Sequence, residues 1–215
     1  MLYLTDTHFR LFTRLWKPNS FKKIIYHTKN LKIQQMDAHI QNNNIIFIGD
    51  SLISGLDVSV VHPLAVNFGI GGDTTEKILH RIKSYNSLKK VETVFLNIGI
   101  NDLLQGKAVD EVYSNIKIII KSLNRKVFLG SIHPLDERVK ISKEINNKEI
   151  KKLNEKLASF CKTEENCFFV DSFSYLIDHT GNLDSRYHIN DGLHLSPAGY
   201  EVWMVQIRLA LRSEQ

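Results

Sequence analysis

Short apolar runs alternate with longer segments of helical periodicity along most of the chain. Five runs are rich in β-branched and aromatic residues and are typical of strands: residues 45–48, 64–68, 93–98, 126–132 and 167–170. Each run is too apolar for a strand with one face in water, so the pattern predicts a parallel sheet covered on both faces.

Apolar residues at three- and four-residue spacing predict helices between these strands. One helical stripe contains Val109, Val112, Ile116, Ile119 and Leu123, and the next contains Ile141, Ile145, Leu153, Leu157 and Phe160. Ser196 as N-cap and Pro197 at the first helical position predict a last helix. We expect its core face to consist of Ala198, Val202, Val205 and Leu209. The alternation predicts an α/β fold, a three-layer α/β/α sandwich with five parallel strands.

The first forty residues are less regular. Leu4, Leu11, Phe12 and Leu15, with Trp16 near the end, form the pattern of a basic amphipathic helix. We therefore predict an N-terminal helical extension over residues 1–40, packed on a domain over residues 41–215. A membrane surface or a partner could also take up the apolar face, and a homodimer stays open.

Composition narrows the class of protein. A chain of 215 residues with 43% hydrophobic and 24% charged residues is long enough for one core, which excludes a disordered chain. The net charge is +5, but the basic residues are scattered, so nucleic-acid binding is disfavoured. No apolar run is long enough for a membrane span or a secretory signal, which predicts a cytoplasmic location. Cys161 and Cys167 match no CxxC or metal-ligand spacing and are predicted to be free thiols.

Ser51 is the first candidate for chemistry. It follows the first predicted strand in the sequence Gly-Asp-Ser-Leu over residues 49–52. The carboxyl edge of a parallel sheet is where open α/β proteins bind ligands, so Ser51 can be a nucleophile there. Taken alone, this turn is also typical of an ordinary loop with a helix cap.

Two later segments could supply hydrogen-bond donors near Ser51. Residues 67–75 contain three glycines that leave backbone amides exposed, and we expect Asp73 and Glu76 to cap the helix that follows. A phosphate-binding loop is an alternative, although no Lys-Ser/Thr pair follows the glycines. Asn101 comes after the third strand, where its side-chain amide could donate to an anion.

The last candidate pair is Asp191 and His194, just before the final helix. A serine nucleophile needs a base, and a histidine base needs a carboxylate that holds its tautomer. Three-residue spacing lets the two side chains meet within one loop. Alone, such a pair is also typical of a surface turn or a metal ligand.

The ordered set Ser, Gly, Asn and Asp-x-x-His resembles the SGNH hydrolases, also called the GDSL esterase/lipase family, from about residue 44 to residue 211. The segment over residues 67–75 is similar to the platelet-activating-factor acetylhydrolase branch. The resemblance implies a flavodoxin-like sheet order and a reaction that needs no metal or organic cofactor.

The same resemblance implies a role for each matching residue. Ser51 would be the nucleophile, His194 the general base and then acid, and Asp191 its orienting carboxylate. The oxyanion hole would consist of Ser51, Gly72 and Asn101. We expect Asp50 and Asp102 to fix the loops beside these residues by hydrogen bonds.

The family resemblance predicts a serine esterase for a small-molecule ester. The absence of a long apolar insertion favours short acyl groups, acetyl first, with an acetylated carbohydrate or a lipid as substrate. Acyl transfer to a carbohydrate hydroxyl, lysophospholipase or thioesterase activity, and an inactive binding domain of the same fold are the alternatives. Among the other histidines, His133 is expected to be a satisfied loop residue or to line the acyl pocket, whereas His188 and His62 are expected to face solvent.

Overall fold

The computed structural model describes residues 18–139 and 145–213, with side chains from residue 23. The strands are β1 Ile45–Gly49, β2 Ala65–Gly69, β3 Thr93–Asn97, β4 Lys126–Gly130 and β5 Cys167–Val170. The helices are α1 Pro18–Asp37, α2 Ser51–Gly55, α3 Val58–Val61, α4 Thr75–Arg81, α5 Ile100–Leu104, α6 Val109–Leu123, α7 Asn147–Cys161, α8 Phe173–Leu176 and α9 Pro197–Ser213. Two 3₁₀ turns follow α4, at Ile82–Ser84 and Ser87–Lys89.

The five strands form one parallel sheet in the order β2-β1-β3-β4-β5. This is the flavodoxin-like order, with β1 and β3 at the point where the connections change direction. The predicted fold class is confirmed, and every predicted strand is present, with ends shifted by at most two residues. Because all strands are parallel, their carboxyl ends meet along one edge of the sheet.

Alternate side chains of the strands enter two separate cores, one on each face of the sheet. In β1, Ile46 and Ile48 pack with α4, α6 and α7, whereas Phe47 packs with α2, α3 and α9. In β3, Phe95 stacks on Phe47 at a centroid distance of 4.9 Å. This two-sided burial is the physical reason for the nearly continuous apolar runs in the sequence.

Helix α1 packs on the domain through its C-terminal half. Ile33 and, just after the helix, Ile40 are buried in the core that contains α4 and α6. Asp37 accepts hydrogen bonds from the backbone N–H groups of Asn86 at 2.8 Å and Ser87 at 3.0 Å. The amphipathic stripe predicted between Leu4 and Trp16 lies outside the described residues, so the division at residue 40 stays a prediction.

The core face predicted for the last helix is wrong. Ser196 does cap α9, since its hydroxyl accepts from the N–H of Gly199 at 3.3 Å. However, Val205 and Leu209 are exposed, and the buried face consists of Gly199, Trp203, Ile207 and Leu211. Apolar residues occur on most sides of α9, and the face that docks on the sheet is the one that contains the large Trp203 side chain.

The prediction of two free thiols is also wrong, because Cys161 and Cys167 form a disulfide with their Cα atoms 4.7 Å apart. Cys161 is the last residue of α7 and Cys167 the first of β5. The connection between them folds back on itself, with the N–H of Cys167 donating to the carbonyl of Glu164 at 3.0 Å. That tight return brings the two side chains together.

Candidate active site

Ser51 lies at the carboxyl end of β1, as the first residue of α2. Gly49 permits this sharp turn, since a Cβ there would lie 2.2 Å from the carbonyl oxygen of Asn97 on β3. Asp50 is the N-cap and accepts from the N–H of Leu52 at 2.9 Å. The backbone N–H of Ser51 has no intrahelical acceptor at this first position of the helix, so it can donate to a ligand.

The structure brings Ser51, His194 and Asp191 into one hydrogen-bonded chain. Ser51 Oγ lies 2.9 Å from His194 Nε2, although 143 residues separate them in the sequence. On the other side of the ring, His194 Nδ1 lies 2.6 Å from Asp191 Oδ2. Partial burial opposes ionisation of Asp191, but the hydrogen bonds from His194 and from the N–H groups of Leu193 and His194 hold its pKa below the usual value. An ionised Asp191 can stabilise a protonated His194.

Asp191 and His194 are carried by a short hairpin over residues 187–196. His188 and Leu195 form an antiparallel bridge, and the N–H of Ile189 donates to the carbonyl of His194 at 3.0 Å. The side chains of Asp191 and His194 are 40% and 39% exposed. This part of the site is therefore open to solvent and held by local hydrogen bonds.

The loop after β2 passes next to Ser51. A Cβ on Gly71 would lie 3.8 Å from the Cβ of Ser51, so Gly71 is a neighbour of the serine and Gly72 is the next residue in the loop. Gly72 has φ +77°, and no heavy atom lies within 4 Å of where its Cβ would be. Lys77 Nζ donates to the carbonyl of Gly72 at 2.7 Å, which fixes the orientation of that backbone segment.

Asn101 lies in the first turn of α5 and reaches toward the same loop. Its Nδ2 donates to the main-chain carbonyl of Asp73 at 2.9 Å. Since a side-chain amide carries two hydrogens, this bond orients Asn101 and leaves one donor for another acceptor.

The expectation that Asp73 caps α4 is wrong. Thr74 is the N-cap, with its hydroxyl accepting from the N–H of Lys77 at 3.4 Å. Asp73 is fully buried and pairs with Arg81, Nε to Oδ2, at 2.7 Å. Arg81 also donates from Nη2 to the carbonyl of Phe68 at 2.8 Å. Burial raises the pKa of Asp73 in spite of the adjacent guanidinium.

Asp102 and Asp50 fix the surrounding loops, as predicted. Asp102 accepts from the N–H of Thr75 at 2.9 Å and from its hydroxyl at 2.7 Å, which ties α5 to the start of α4. Asp50 is completely buried, and its Oδ2 has no hydrogen-bond partner among the described residues. Burial raises the pKa of Asp50 to about 7.

The other histidines differ in their surroundings. His133 is buried against Trp203, with a centroid distance of 4.5 Å, and burial lowers its pKa to about 3. His62 is partly exposed, and its Nδ1 accepts from the N–H of Leu64 at 3.2 Å. The prediction of an exposed His188 is wrong, because this residue is buried beside Asp136, with 3.2 Å between Nε2 and Oδ2. A sequence offers no sign of that contact, since 52 residues separate the two side chains.

Neither a metal site nor a membrane span was found in the part of the chain that the structure describes. Within residues 18–139 and 145–213, no three His, Cys, Asp or Glu side chains are grouped so that they could hold a metal ion. None of the helices in those ranges combines the length and apolar character needed to cross a membrane.

A flavodoxin-like sheet with a Ser–His–Asp chain at its carboxyl edge has the arrangement of a serine hydrolase. Residues 47–202 match the model of the GDSL-like Lipase/Acylhydrolase family. The chain belongs to this family.

Similar proteins come from several organisms. The alpha1 subunit of platelet-activating factor acetylhydrolase IB from Bos taurus is 27% identical, over 76% of this chain and 73% of that protein. The N-acylneuraminate cytidylyltransferase of Streptococcus agalactiae serotype III is 26% identical over 76% of this chain. The present chain spans only 38% of the length of that relative.

One similar solved structure is from Streptococcus pneumonia, and its description names a platelet activating factor. It has a TM-score of 0.80 and 25% sequence identity, and the match covers 98% of this chain and 99% of that chain. The acetylxylan esterase Axe2 of Geobacillus stearothermophilus has a TM-score of 0.63, covering 80% of this chain and 94% of that chain. At 18% identity, the second likeness shows the shared fold alone.

Proposed function

We propose that the protein is a serine esterase that hydrolyses small acyl esters, acetyl esters first, with Ser51 as nucleophile. The observation that carries this proposal is the hydrogen-bonded chain from Ser51 Oγ through the His194 ring to Asp191. In such a chain the histidine takes the serine proton through Nε2, and the carboxylate stabilises the imidazolium that results.

In the proposed reaction Ser51 Oγ attacks the ester carbonyl while its proton moves to His194 Nε2. The negative charge on the carbonyl oxygen would be stabilised by the N–H groups of Ser51 and Gly72 and by the second amide hydrogen of Asn101. Loss of one such donor typically costs about 2.7–4 kcal/mol of transition-state stabilisation. His194 then protonates the leaving alkoxide, and an acyl group remains on Ser51.

Water completes the cycle. His194 removes a proton from the water, the resulting hydroxide attacks the acyl-enzyme, and the acid leaves as Ser51 recovers its proton. The half-exposed position of His194 supports this step, because solvent can reach the imidazole without movement of a large segment.

The preference for acetyl is supported by the relatives rather than by a pocket. The mammalian relative is named as an acetylhydrolase, and the streptococcal relative is named for an N-acylated sugar. An acetyl ester on a carbohydrate or a lipid is therefore the substrate that we propose.

The proposal is tested with Ser51→Ala and a matched control, Ser54→Ala, one turn further along α2. Ser51→Ala should lower kcat for p-nitrophenyl acetate by at least about 10⁴-fold, because no nucleophile remains. Among the described residues, the Ser54 hydroxyl accepts a side-chain hydrogen bond only from Lys29 Nζ, at 3.1 Å, so its variant should keep the parent rate. Full activity of Ser51→Ala would refute the mechanism.

Acyl-chain length is a separate measurement. Rates should fall along a series of p-nitrophenyl esters from acetyl to decanoyl, and a preference for decanoyl would contradict the acetyl assignment. A fluorophosphonate probe should label Ser51 in the parent protein, and folded parent protein that takes up no label would favour a binding domain.

A further inference from the structure

His188 and Asp136 form a second buried His–Asp pair, in which His188 belongs to the same hairpin as Asp191 and His194. The two residues are only 6% and 4% exposed. His188 Nε2 lies 3.2 Å from Asp136 Oδ2, and on the other side of the ring His188 Nδ1 accepts from the N–H of Gly192 at 3.1 Å. The pair thus connects the loop after β4 with the middle of the hairpin.

These contacts define the tautomer of His188. Because the N–H of Gly192 is a donor, Nδ1 must be the unprotonated nitrogen, and Nε2 carries the hydrogen that it donates to Asp136. His188 is therefore bound as a neutral ring between one donor and one acceptor.

Asp136 also holds the other side of the same glycine. Its backbone N–H donates to the carbonyl of Gly192 at 2.9 Å. Gly192 thus has its N–H held by His188 and its carbonyl held by Asp136. Gly192 has φ +73° and directly follows Asp191, so these two hydrogen bonds fix the backbone between the carboxylate and the imidazole.

Asp136 is itself anchored as a carboxylate. Arg138 Nε donates to Oδ1 at 2.7 Å, and the same guanidinium reaches Asp178 at 3.2 Å. The hydrogen bond from Arg138 lowers the pKa of Asp136, assisted by the one from His188. Through Arg138, Asp136 is therefore also connected to the loop that contains Asp178.

We propose that His188 and Asp136 are positioning residues for the esterase reaction. They hold the Gly192 backbone so that Asp191 and His194, whose side chains are about 40% exposed, stay aligned with Ser51. The inference rests on the proposed function, because it needs His194 to act as the base.

The test compares His188→Leu with His188→Asn. Leucine removes the acceptor for the Gly192 N–H, whereas asparagine can place its Oδ1 near the position of Nδ1. Outer hydrogen-bond partners of metal-binding residues typically contribute about 10–100-fold to activity, and we use that range as the scale for this pair. We expect His188→Leu to lower kcat for p-nitrophenyl acetate by that factor, with KM changed less than about twofold. His188→Asn should recover a substantial part of kcat.

His62 provides the matched control, since its Nδ1 also accepts from a backbone N–H, that of Leu64 at 3.2 Å. His62→Leu should leave kcat and KM at the parent values. Asp136→Asn is the second variant for the proposed pair and should also lower kcat. It keeps the inference testable if His188→Leu does not fold.

Two results would overturn the inference. One is a folded His188→Leu or Asp136→Asn protein with the parent kcat. The other is an equal loss of kcat and of melting temperature in His188→Leu and His188→Asn, which would indicate a purely structural role. Failure of the proposed function has a different signature: Ser51→Ala would then keep its activity, whatever the His188 variants do.

Discussion

The serine side and the histidine side of the candidate site are held in place by different means. Ser51 and the loop of Gly72 lie at the ends of β1 and β2, above a buried ion pair in which Arg81 is 2% and Asp73 0% exposed. Asp191 and His194 lie on a hairpin, with side chains that are about 40% exposed. Thus the serine side lies over an ion pair enclosed in the core, whereas the histidine side is held by hydrogen bonds within the hairpin and by the His188–Asp136 pair.

This difference indicates where substitutions should affect folding and where they should affect only the reaction. Removing one partner of a buried ion pair leaves an uncompensated charge, which is strongly destabilising. Exposed ion pairs contribute little because water screens them. We therefore expect substitutions on the serine side to lower the free energy of unfolding, and substitutions on the histidine side to lower mainly the rate of the reaction.

The largest expected effect on stability is that of Arg81→Met. It should lower the free energy of unfolding by about 3–5 kcal/mol, because Asp73 would remain buried without its partner. Arg186→Met, near the hairpin, is the matched control: Arg186 pairs with Asp184 at the same 2.7 Å but is 72% exposed. It should cost less than about 1 kcal/mol, as measured by chemical denaturation. Equal costs for the two variants would remove the distinction between the two sides.

The second-largest expected effect is a pH dependence of the free energy of unfolding that arises from Asp50. The folded protein keeps the proton of Asp50 up to about pH 7, whereas the unfolded chain releases it near the usual pKa of 3.8. The free energy of unfolding therefore falls as the pH rises between these two values. Asp50→Asn removes this loss. At about pH 8 it should raise the free energy of unfolding by about 2 kcal/mol, with a much smaller gain at about pH 4.

The control for Asp50 is Asp57, which caps α3 through the same contact to a backbone N–H, that of Ser59 at 3.1 Å, but is exposed. Thermal melts of Asp57→Asn at about pH 8 should show no rise in melting temperature, because water already solvates this exposed side chain. On the histidine side the sign is opposite, because hydrogen bonds lower the pKa of Asp191 and its contribution is lost on acidification. A gain from Asp50→Asn that is the same at about pH 4 and about pH 8 would contradict the raised pKa of Asp50.

The smallest effect on stability is expected for Gly72→Ala. Gly72 and Gly181 have φ of +77° and +83°, and neither has a heavy atom within 4 Å of where a Cβ would be. Alanine at either position should therefore cost about 1 kcal/mol through backbone strain alone. Only Gly72→Ala should also lower kcat/KM, by about tenfold, since the shifted N–H would point away from the oxyanion. Equal kcat/KM for the two variants would remove Gly72 from the proposed oxyanion hole.

Much of the fold could be predicted from the sequence. The five strands are buried on both faces, so their apolar runs stand out from the amphipathic helices between them. The faces of α9 could not be predicted in the same way, because apolar residues occur on most sides of that helix. The pairing of Cys161 with Cys167 depends on a tight return of the chain that spacing alone does not reveal.

The candidate site shows a similar limit. Short motifs at strand ends or before a helix contain Ser51, Asn101, Asp191 and His194. The sequence could therefore single these residues out, although their roles stay proposals. Arg81 and His188 could not be found this way. Their contacts with Asp73 and Asp136 arise from the docking of α4 and of the hairpin on the sheet, and each residue alone is typical of an exposed position.

The separation of 143 residues between Ser51 and His194 has a consequence for folding. The contacts between Asp191 and His194 close within a single loop, which a chain can form early and at little entropic cost. Alignment of the serine requires closure over most of the chain, and such non-local contacts form slowly. A partly folded molecule can therefore hold the Asp191–His194 pair without Ser51, and the onset of the proposed ester hydrolysis would mark completion of the tertiary structure.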